Sequence, residues 1–295
     1  MAGQLGVEWK GIADSTIAKR SAVSRGTPAL SNPRRATFYN AIAQGAALAT
    51  RAAQTARWQA RLQARRLLPQ SCALCAAPTP DALVCAACAA ALPTLRDACP
   101  RCALPSTAGV PCGACLAQPP PFDATIAAHA YAFPVDRLLQ ALKYNGRLAL
   151  ADWAAAALAA RVRAERVPPA ALAGSSPPLL VPLPLAPARQ RQRGFNQAQE
   201  IARELGRLLA LPVAPALLRT RTTPPQADLP WAERVRNVRG AFAARDRLDG
   251  AHVVLVDDVM TTGATLAAAA TAARAAGASR VECWVVARTL PQAQS

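Results

Sequence analysis

The sequence predicts an α/β domain, a parallel-sheet core flanked by helices, preceded by a small cysteine-rich module. Three observations carry that expectation. Val253 to Val256 form an unbroken apolar, mostly β-branched run, the pattern of a strand covered on both faces. Where such a strand would end stand two carboxylates, Asp257 and Asp258; a turn holding Thr261, Thr262, Gly263 and Thr265 then leads into the alanine-rich, helix-prone stretch Leu266 to Ala276. Between residues 72 and 115, cysteines recur as four Cys-x-x-Cys pairs.

Composition sets the bounds. A chain of 295 residues has room for one enzyme-sized domain and something smaller, and a hydrophobic fraction of 52% supplies a core. The net charge is +17, but the first 70 residues hold eleven Lys or Arg against Glu8 and Asp14, so they supply +9 of it. Only Lys10, Lys19 and Lys143 are lysines, so the basic character is almost entirely arginine. Such a charge permits a polyanionic partner without requiring one. No apolar run approaches the roughly 18–20 residues of a membrane-spanning helix, and the N-terminus lacks a secretory pattern. The protein is therefore expected in the cytoplasm and not as an integral membrane protein, where cysteines serve as metal ligands before they serve as disulfides.

Residues 1–66 read as an extension, disordered or partly helical, whose Arg-rich composition also fits a transit peptide or an over-extended start. Residues 67–118 read as a double zinc ribbon. Each of Cys72, Cys75, Cys85 and Cys88 recurs 27 residues later, as Cys99, Cys102, Cys112 and Cys115. Two Cys-x-x-Cys turns complete an all-thiolate tetrahedral shell, so the eight cysteines suit two structural zinc ions with no open catalytic position. The duplication favours sequential pairing of the clusters; an interleaved arrangement is the alternative.

Residues 122–290 read as the larger domain. Thr125 to Phe133 has strand character. Pro134 can open a helix whose stripe is Val135, Leu138, Leu139 and Leu142, with Gly146 at its end. A second helix is expected over 148–166 and a surface loop over 168–178. Leu179 to Leu185 reads as a short strand broken at Pro182 or Pro184. Arg189, Arg191 and Arg193 then alternate along a loop before Gly194, Phe195 and a helix over Ala198 to Leu209, an anion trap beside a helix start. Val213 to Arg219 reads as a strand and 219–240 as a long polar loop, functional or disordered. The last strand is Arg280 to Ala287, with Cys283 a buried core thiol, and His129 and His252 stand isolated without a ligand or catalytic role.

The chemistry of the opening stretch is that of a phosphosugar site. Backbone N–H groups at a helix start, with neighbouring hydroxyls, suit a phosphate, and a glycine allows close approach. The carboxylates suit sugar hydroxyls or a metal.

That stretch, strand, acidic pair and Thr-Thr-Gly-x-Thr, resembles the 5-phosphoribosyl-1-pyrophosphate (PRPP) motif of type I phosphoribosyltransferases. Arg193-Gly194-Phe195 is similar to their pyrophosphate loop. Together with the cysteine module, Leu142-Lys-Tyr144, Val181-Pro-Leu-Pro-Leu185, Asn196-Gln197, Gln226 and Glu233-Arg234-x-x-Asn237, these motifs resemble the ComF family of bacteria over roughly residues 67–290. The resemblance implies a type I phosphoribosyltransferase fold, PRPP with Mg²⁺ as ligand, and a role in natural competence, with single-stranded DNA and DNA-uptake proteins as partners. It implies Asp257 and Asp258 as the catalytic pair holding the ribose hydroxyls. Met260, Thr261, Thr262, Gly263, Ala264 and Thr265 would hold the 5′-phosphate, and Arg193, Gly194 and Phe195 the pyrophosphate. The loop over 219–240 would be a lid carrying Arg234 and Arg236. No residue of these motifs is an evident general base. The space where such enzymes carry a base-recognising hood is occupied by the zinc ribbons, and the acceptor is unspecified. The alternative is a zinc-ribbon nucleic-acid-binding factor whose PRPP site is regulatory or vestigial.

Overall fold

A computed structural model of the chain describes residues 70–80, 82–165, 177–220 and 240–291. The extension over 1–66 and most of the expected lid, including Gln226, Glu233, Arg234, Arg236 and Asn237, lie outside the described residues.

The cysteine module shows its duplication in three dimensions. In the first unit β1 (Gln70–Ser71) pairs antiparallel with β2 (Pro78–Thr79), and a single helical turn, α1 (Ala86–Ala90), follows. The second unit repeats this 27 residues on. Ala98 bridges Pro105 where Ser71 faced Pro78, and α2 (Gly113–Ala117) stands where α1 stood. Even the knuckles match: Ala76 and Ala103 both take left-handed backbone, at φ 60° and 56°. Cys72 N–H donates to Ala77 O at 2.8 Å, as Cys99 N–H does to Leu104 O at 2.7 Å. A sequence repeat has become a structural one, residue for residue.

The larger domain runs β3 (Ala124–Ala130), α3 (Val135–Tyr144), α4 (Ala149–Glu165), β4 (Leu179–Pro182), α5 (Pro187–Arg193), α6 (Gln197–Leu209), β5 (Leu217–Arg219), β6 (Phe242–Ala244), β7 (His252–Met260), α7 (Ala264–Ala275) and β8 (Arg280–Arg288). Four strands form a wholly parallel sheet in the order β3-β8-β7-β4. Side chains alternate across it. Val253, Leu255, Val281, Cys283 and Val285 pack under α7, and Val254, Val256, Trp284 and Val286 pack against α3, α4 and α6. Both faces are covered, which is why the strands read as continuous apolar runs. No helix among the described residues is long and apolar enough to cross a membrane.

The module is not a tethered appendage. It covers the outer edge of β3, where Thr125 N–H donates to Pro100 O at 2.9 Å and Ala130 N–H to Pro93 O at 3.0 Å. It also feeds both cores. Leu95 and Ala103 join the α7 side, and Cys72, Val84 and Leu92 the other.

Several sequence expectations change. β7 does not stop at Val256; it carries the acidic pair within the strand because β8 continues to partner it as far as Met260. The strand expected over 213–219 is split at Pro215, which has no N–H to give a ladder. Val213 bridges β4 at Leu180, whereas Leu217–Arg219 pairs antiparallel with β6. Arg189 to Arg193 lie on the helix α5, opened by Pro187 and ended by Gly194 at φ 79°, and not on a loop. Arg189 and Arg193 therefore share one face, with Arg191 turned away. His252 is not isolated either: its Nε2 lies 3.1 Å from Glu282, which also accepts from Trp284 Nε1 at 3.0 Å.

Gly206 shows how tightly α6 is packed. An added Cβ would overlap Val213 Cγ2 and sit 2.9 Å from Leu211 O. Gly206→Ala is expected to cost roughly 1–3 kcal/mol by overpacking; thermal unfolding checks this.

Candidate functional site

In a wholly parallel sheet all strands end at one edge, and ligands collect outside it. Here β4 stops early, since its prolines at 182 and 184 cannot extend a ladder, and Leu183 N–H to Val256 O at 3.0 Å is its last rung to β7. Beyond that rung β7 runs on through Asp257 to Met260 with β8 on its other side. The opened flank is where the acidic pair stands.

Alternation puts the two carboxylates on opposite faces of β7. Asp258 is buried, and its Oδ2 lies 2.9 Å from Lys143 Nζ at the end of α3. Its Oδ1 accepts from Val259 N–H at 2.8 Å, while Asp257 Oδ1 accepts from Asp258 N–H at 2.9 Å. Asp257 keeps part of its surface open to solvent, yet its dense surroundings dominate its titration. Burial, then the Asp258 charge, push its carboxyl up to about 8, with Lys143 opposing. Burial acts against the charge on Lys143, but Asp258 and Asp257 outweigh it and raise its pKa. Two crowded carboxylates and one lysine make a site short of positive charge.

The turn after β7 is built by backbone. Met260 and Ala264 are each about 1% exposed, so the atoms they offer a ligand are main-chain ones. Gly263 takes φ 83° as it enters α7, a left-handed conformation that glycine adopts without strain. Thr262 Oγ1 accepts from Ala264 N–H at 3.3 Å, and Thr261 is exposed. The first-turn N–H groups of α7, with the positive end of its dipole, face the place an anion would occupy.

Cations stand on the adjoining flank. Arg193 places its guanidinium 5.3 Å from the Tyr144 ring centroid, next to Lys143 in sequence. Gly194 is exposed and Phe195 half-buried against the core. Asn196 fixes the start of α6: its Oδ1 accepts from Ala198 N–H at 3.0 Å, and its Nδ2 donates to Leu183 O at 2.9 Å. Gln197 follows with Oε1 buried and lacking a hydrogen-bond partner among the described residues. From β5, Arg219 sits 5.4 Å from the Phe242 centroid; burial first, then Arg189, lower its pKa, and Asp257 opposes them. Arg189, Arg219 and Asp257 thus share one electrostatic neighbourhood.

The structure therefore brings together Asp257, Asp258 and the turn over 260–265, with Arg193 on the adjoining flank. Sequence reasoning missed Lys143 and Arg219 as site residues. Lys143 did leave a trace: in a chain whose cations are nearly all arginine, it is the one lysine beyond residue 19. An ammonium is a compact charge that fits beside a buried carboxylate where a planar guanidinium would not.

The cysteines form two separate clusters, Cys72, Cys75, Cys85 and Cys88, and Cys99, Cys102, Cys112 and Cys115, each with its four Sγ atoms within 4.8 Å of one another. The sequential grouping, not the interleaved one, is the one adopted. Zn–S bonds of 2.3 Å in a tetrahedron imply sulfur separations of about 3.8 Å. Cys75 and Cys85 Sγ are 3.7 Å apart, as are Cys102 and Cys112 Sγ. Backbone N–H groups donate to the sulfurs at matching points, Cys85 to Cys72 at 3.4 Å and Cys112 to Cys99 at 3.3 Å. As bare thiols the four compete for charge: the Cys115 thiol helps bring Cys102 down to about 5, and Cys115 is driven far up in return. A divalent cation resolves that conflict, and both clusters fit a structural zinc.

Comparison with known proteins finds two families along the chain. The phosphoribosyl transferase domain family matches residues 191–293, and the double zinc ribbon domain family residues 64–116. DNA utilization protein YhgH of Escherichia coli (strain K12) is 36% identical over 175 residues, 59% of this chain and 75% of that protein. Competence protein F of Haemophilus influenzae is 32% identical over 176 residues, covering 58% and 75% respectively. Competence protein ComFC of Bacillus subtilis is 35% identical over 88 residues, 30% of this chain and 35% of that protein.

Proposed function

The chain belongs to the ComF family, and from that premise we propose that it binds PRPP with Mg²⁺ at the carboxyl edge of the sheet and serves DNA uptake in the cytoplasm. The observation that supports this best is the acidic pair, Asp258 buried against its Lys143 counter-ion and Asp257 partly open, set directly before the Thr-Gly turn and the N-terminus of α7. In this reading Asp257 and Asp258 accept hydrogen bonds from the ribose hydroxyls. The N–H groups over 261–265, with the hydroxyls of Thr261, Thr262 and Thr265, hold the 5′-phosphate. Arg193, with the backbone of Gly194 and Phe195, clamps the pyrophosphate, and Arg219 adds charge from the other side. Asp257 and Asp258 would hold magnesium together with the ribose hydroxyls, and the ion would supply positive charge to offset that of the pyrophosphate. These are the parts required to pass a phosphoribosyl group to an acceptor: a held sugar, a clamped leaving group and a fixed phosphate.

Titration calorimetry with PRPP and Mg²⁺ tests the reading, and it makes a pH-dependent prediction. A carboxyl held near 8 is largely protonated at neutral pH, and a neighbouring cation with ribose hydroxyls favours its ionised form, in which both oxygens accept. Binding is therefore expected to release a proton, with affinity rising between pH 6 and 8 as Asp257 loses it in the free protein. Repeating the titration in two buffers of different ionisation enthalpy measures that proton. Absence of binding removes the PRPP assignment; binding with no proton release shows that Asp257 does not ionise on contact. A role with single-stranded DNA, carried by phosphate contacts, is expected to weaken steeply with salt.

A further inference from the structure

Arg288 connects the second cysteine cluster to the turn that follows β7. It is the last residue of β8 and only 3% exposed. Its Nε donates to Cys102 O at 2.8 Å. Its Nη1 donates to Met260 O at 3.0 Å, to Thr289 O at 2.9 Å, and to Thr261 O. One rigid, planar group thus spans a backbone carbonyl of a cluster ligand and two carbonyls opening the turn. A buried cation held by carbonyl oxygens is costly to place there merely to fill space.

The direction of these bonds matters. In a trans peptide the C=O and the following N–H point in opposite directions. Met260 O also accepts from Thr289 N–H at 3.0 Å, so β8 and Arg288 together hold that peptide while Arg288 holds Thr261 O, and the Thr261 and Thr262 N–H groups are turned to the far side. On the cluster side, the carbonyls of all three residues from Pro100 to Cys102 are held by the sheet. Thr125 N–H donates to Pro100 O at 2.9 Å, Thr125 Oγ1 to Arg101 O, and Arg288 to Cys102 O. Cys102 is accordingly buried, whereas its counterpart in the first cluster, Cys75, is exposed.

We propose that Arg288 is a positioning residue that couples zinc at Cys99, Cys102, Cys112 and Cys115 to the shape of the turn over 260–263, so that a phosphate bound there and that zinc stabilise each other. The inference rests on the reading of this turn as the 5′-phosphate site. A knuckle ordered by zinc presents Cys102 O at a fixed place, Arg288 is held by it, and the two turn peptides keep their orientation. Coupling between sites is reciprocal, so a ligand that needs those peptides must in turn slow loss of the zinc.

The test uses the full-length, zinc-loaded protein and ribose 5-phosphate without magnesium. Zinc transfer to a chromogenic chelator is followed with and without saturating sugar phosphate. One of the two ions is expected to leave at least ~fivefold more slowly with ligand, the low end of ordinary coupling, and the other at an unchanged rate. Arg288→Lys, which keeps the charge but not the fork, is expected to lose that protection. Thr125→Val, which cuts a different bond to the same knuckle, is expected to keep it. Calorimetric binding of ribose 5-phosphate to the wild type with both zinc rates unchanged overturns the coupling and leaves the phosphate site standing. Failure of the wild type to bind ribose 5-phosphate removes the site and the coupling together. Protection that persists in Arg288→Lys overturns the role of the arginine. Should that variant fail to fold, the wild-type comparison alone decides, because a purely structural arginine gives no ligand-dependent change in zinc release.

Discussion

Asp257→Asn and Asp258→Asn are each expected to cut PRPP affinity sharply, yet to move thermal stability in opposite directions. Hydrogen bonds to charged groups contribute about 1.5–3 kcal/mol each, so the double variant is expected to lose on the order of 10²–10⁴-fold in affinity. The stability signs follow from the surroundings of each carboxyl. Asp257 has a folded pKa of about 8, above its unfolded value, so the folded state binds the extra proton. Its contribution to stability is fully present below the unfolded pKa, and is lost as pH rises toward 8. Asn removes that penalty, and Asp257→Asn is expected to unfold at a higher temperature than wild type at pH 8, with little difference at pH 4. Asp258 is the partner of Lys143 at 2.9 Å in a mostly buried pair. Asp258→Asn strands the ammonium and is expected to lose roughly 1–3 kcal/mol, less than a fully buried pair because Asp257 remains within reach. Calorimetric titration and thermal unfolding of both single variants check the pattern. Wild-type affinity in both would mean that PRPP does not bind at this pair.

The parts of the site that could be read along the chain are those built from consecutive residues. The Thr-Gly turn is local, because a left-handed glycine and the start of α7 need only their neighbours. The zinc clusters are local as well: two Cys-x-x-Cys knuckles some ten residues apart meet through short hairpins and single-turn helices. Lys143, Arg219 and Arg288 are different. Arg288 reaches the turn because the sheet order β3-β8-β7-β4 sets β8 beside β7, Lys143 reaches Asp258 from α3, Arg219 stands on the separate β5-β6 pair, and no local pattern encodes these placements. Arg288 in particular falls just past the strand expected over Arg280 to Ala287, and its partners are carbonyl oxygens, which leave no trace in side-chain identity.

Where local reading failed, a specific competing interaction won. Aspartates are poor strand formers, so ending β7 before Asp257 followed propensity. Continued pairing with β8 overrode it, Val259 and Met260 still facing Ala287 and Arg288. Alternating arginines suggested an extended loop, but Pro187 pre-sets a first helical turn and Gly194 closes it, so the same residues wind into α5. The cysteine module does not leave the edge of β3 to solvent. Its prolines offer carbonyls to β3, since Pro93 and Pro100 accept where an edge strand would otherwise be bare.

That docking makes zinc removal the change with the largest expected consequence for the fold. Structural zinc contributes apparent free energies of ~10–16 kcal/mol in small finger peptides, while whole domains keep only about 5–15 kcal/mol in reserve. Here the ribbons are not insulated from the sheet. Without the metal, Leu95 and Ala103 leave one core, Val84 and Leu92 leave the other, and the N–H groups of Thr125 and Ala130 lose their acceptors. Chelation is expected to lower the unfolding temperature of the whole protein, in one transition, by on the order of 10 °C or more, and to promote association through the bared β3 edge. The two clusters are not expected to be equal. Cys75 is exposed and Cys102 is buried with its carbonyl on Arg288, so Cys102→Ser is expected to destabilise more than Cys75→Ser. Differential scanning calorimetry of the holo-protein, the chelated protein and both variants measures each step. A phosphoribosyltransferase-like domain that kept its own transition temperature after both zincs were removed would show that the ribbons merely sit beside the sheet and do not complete it.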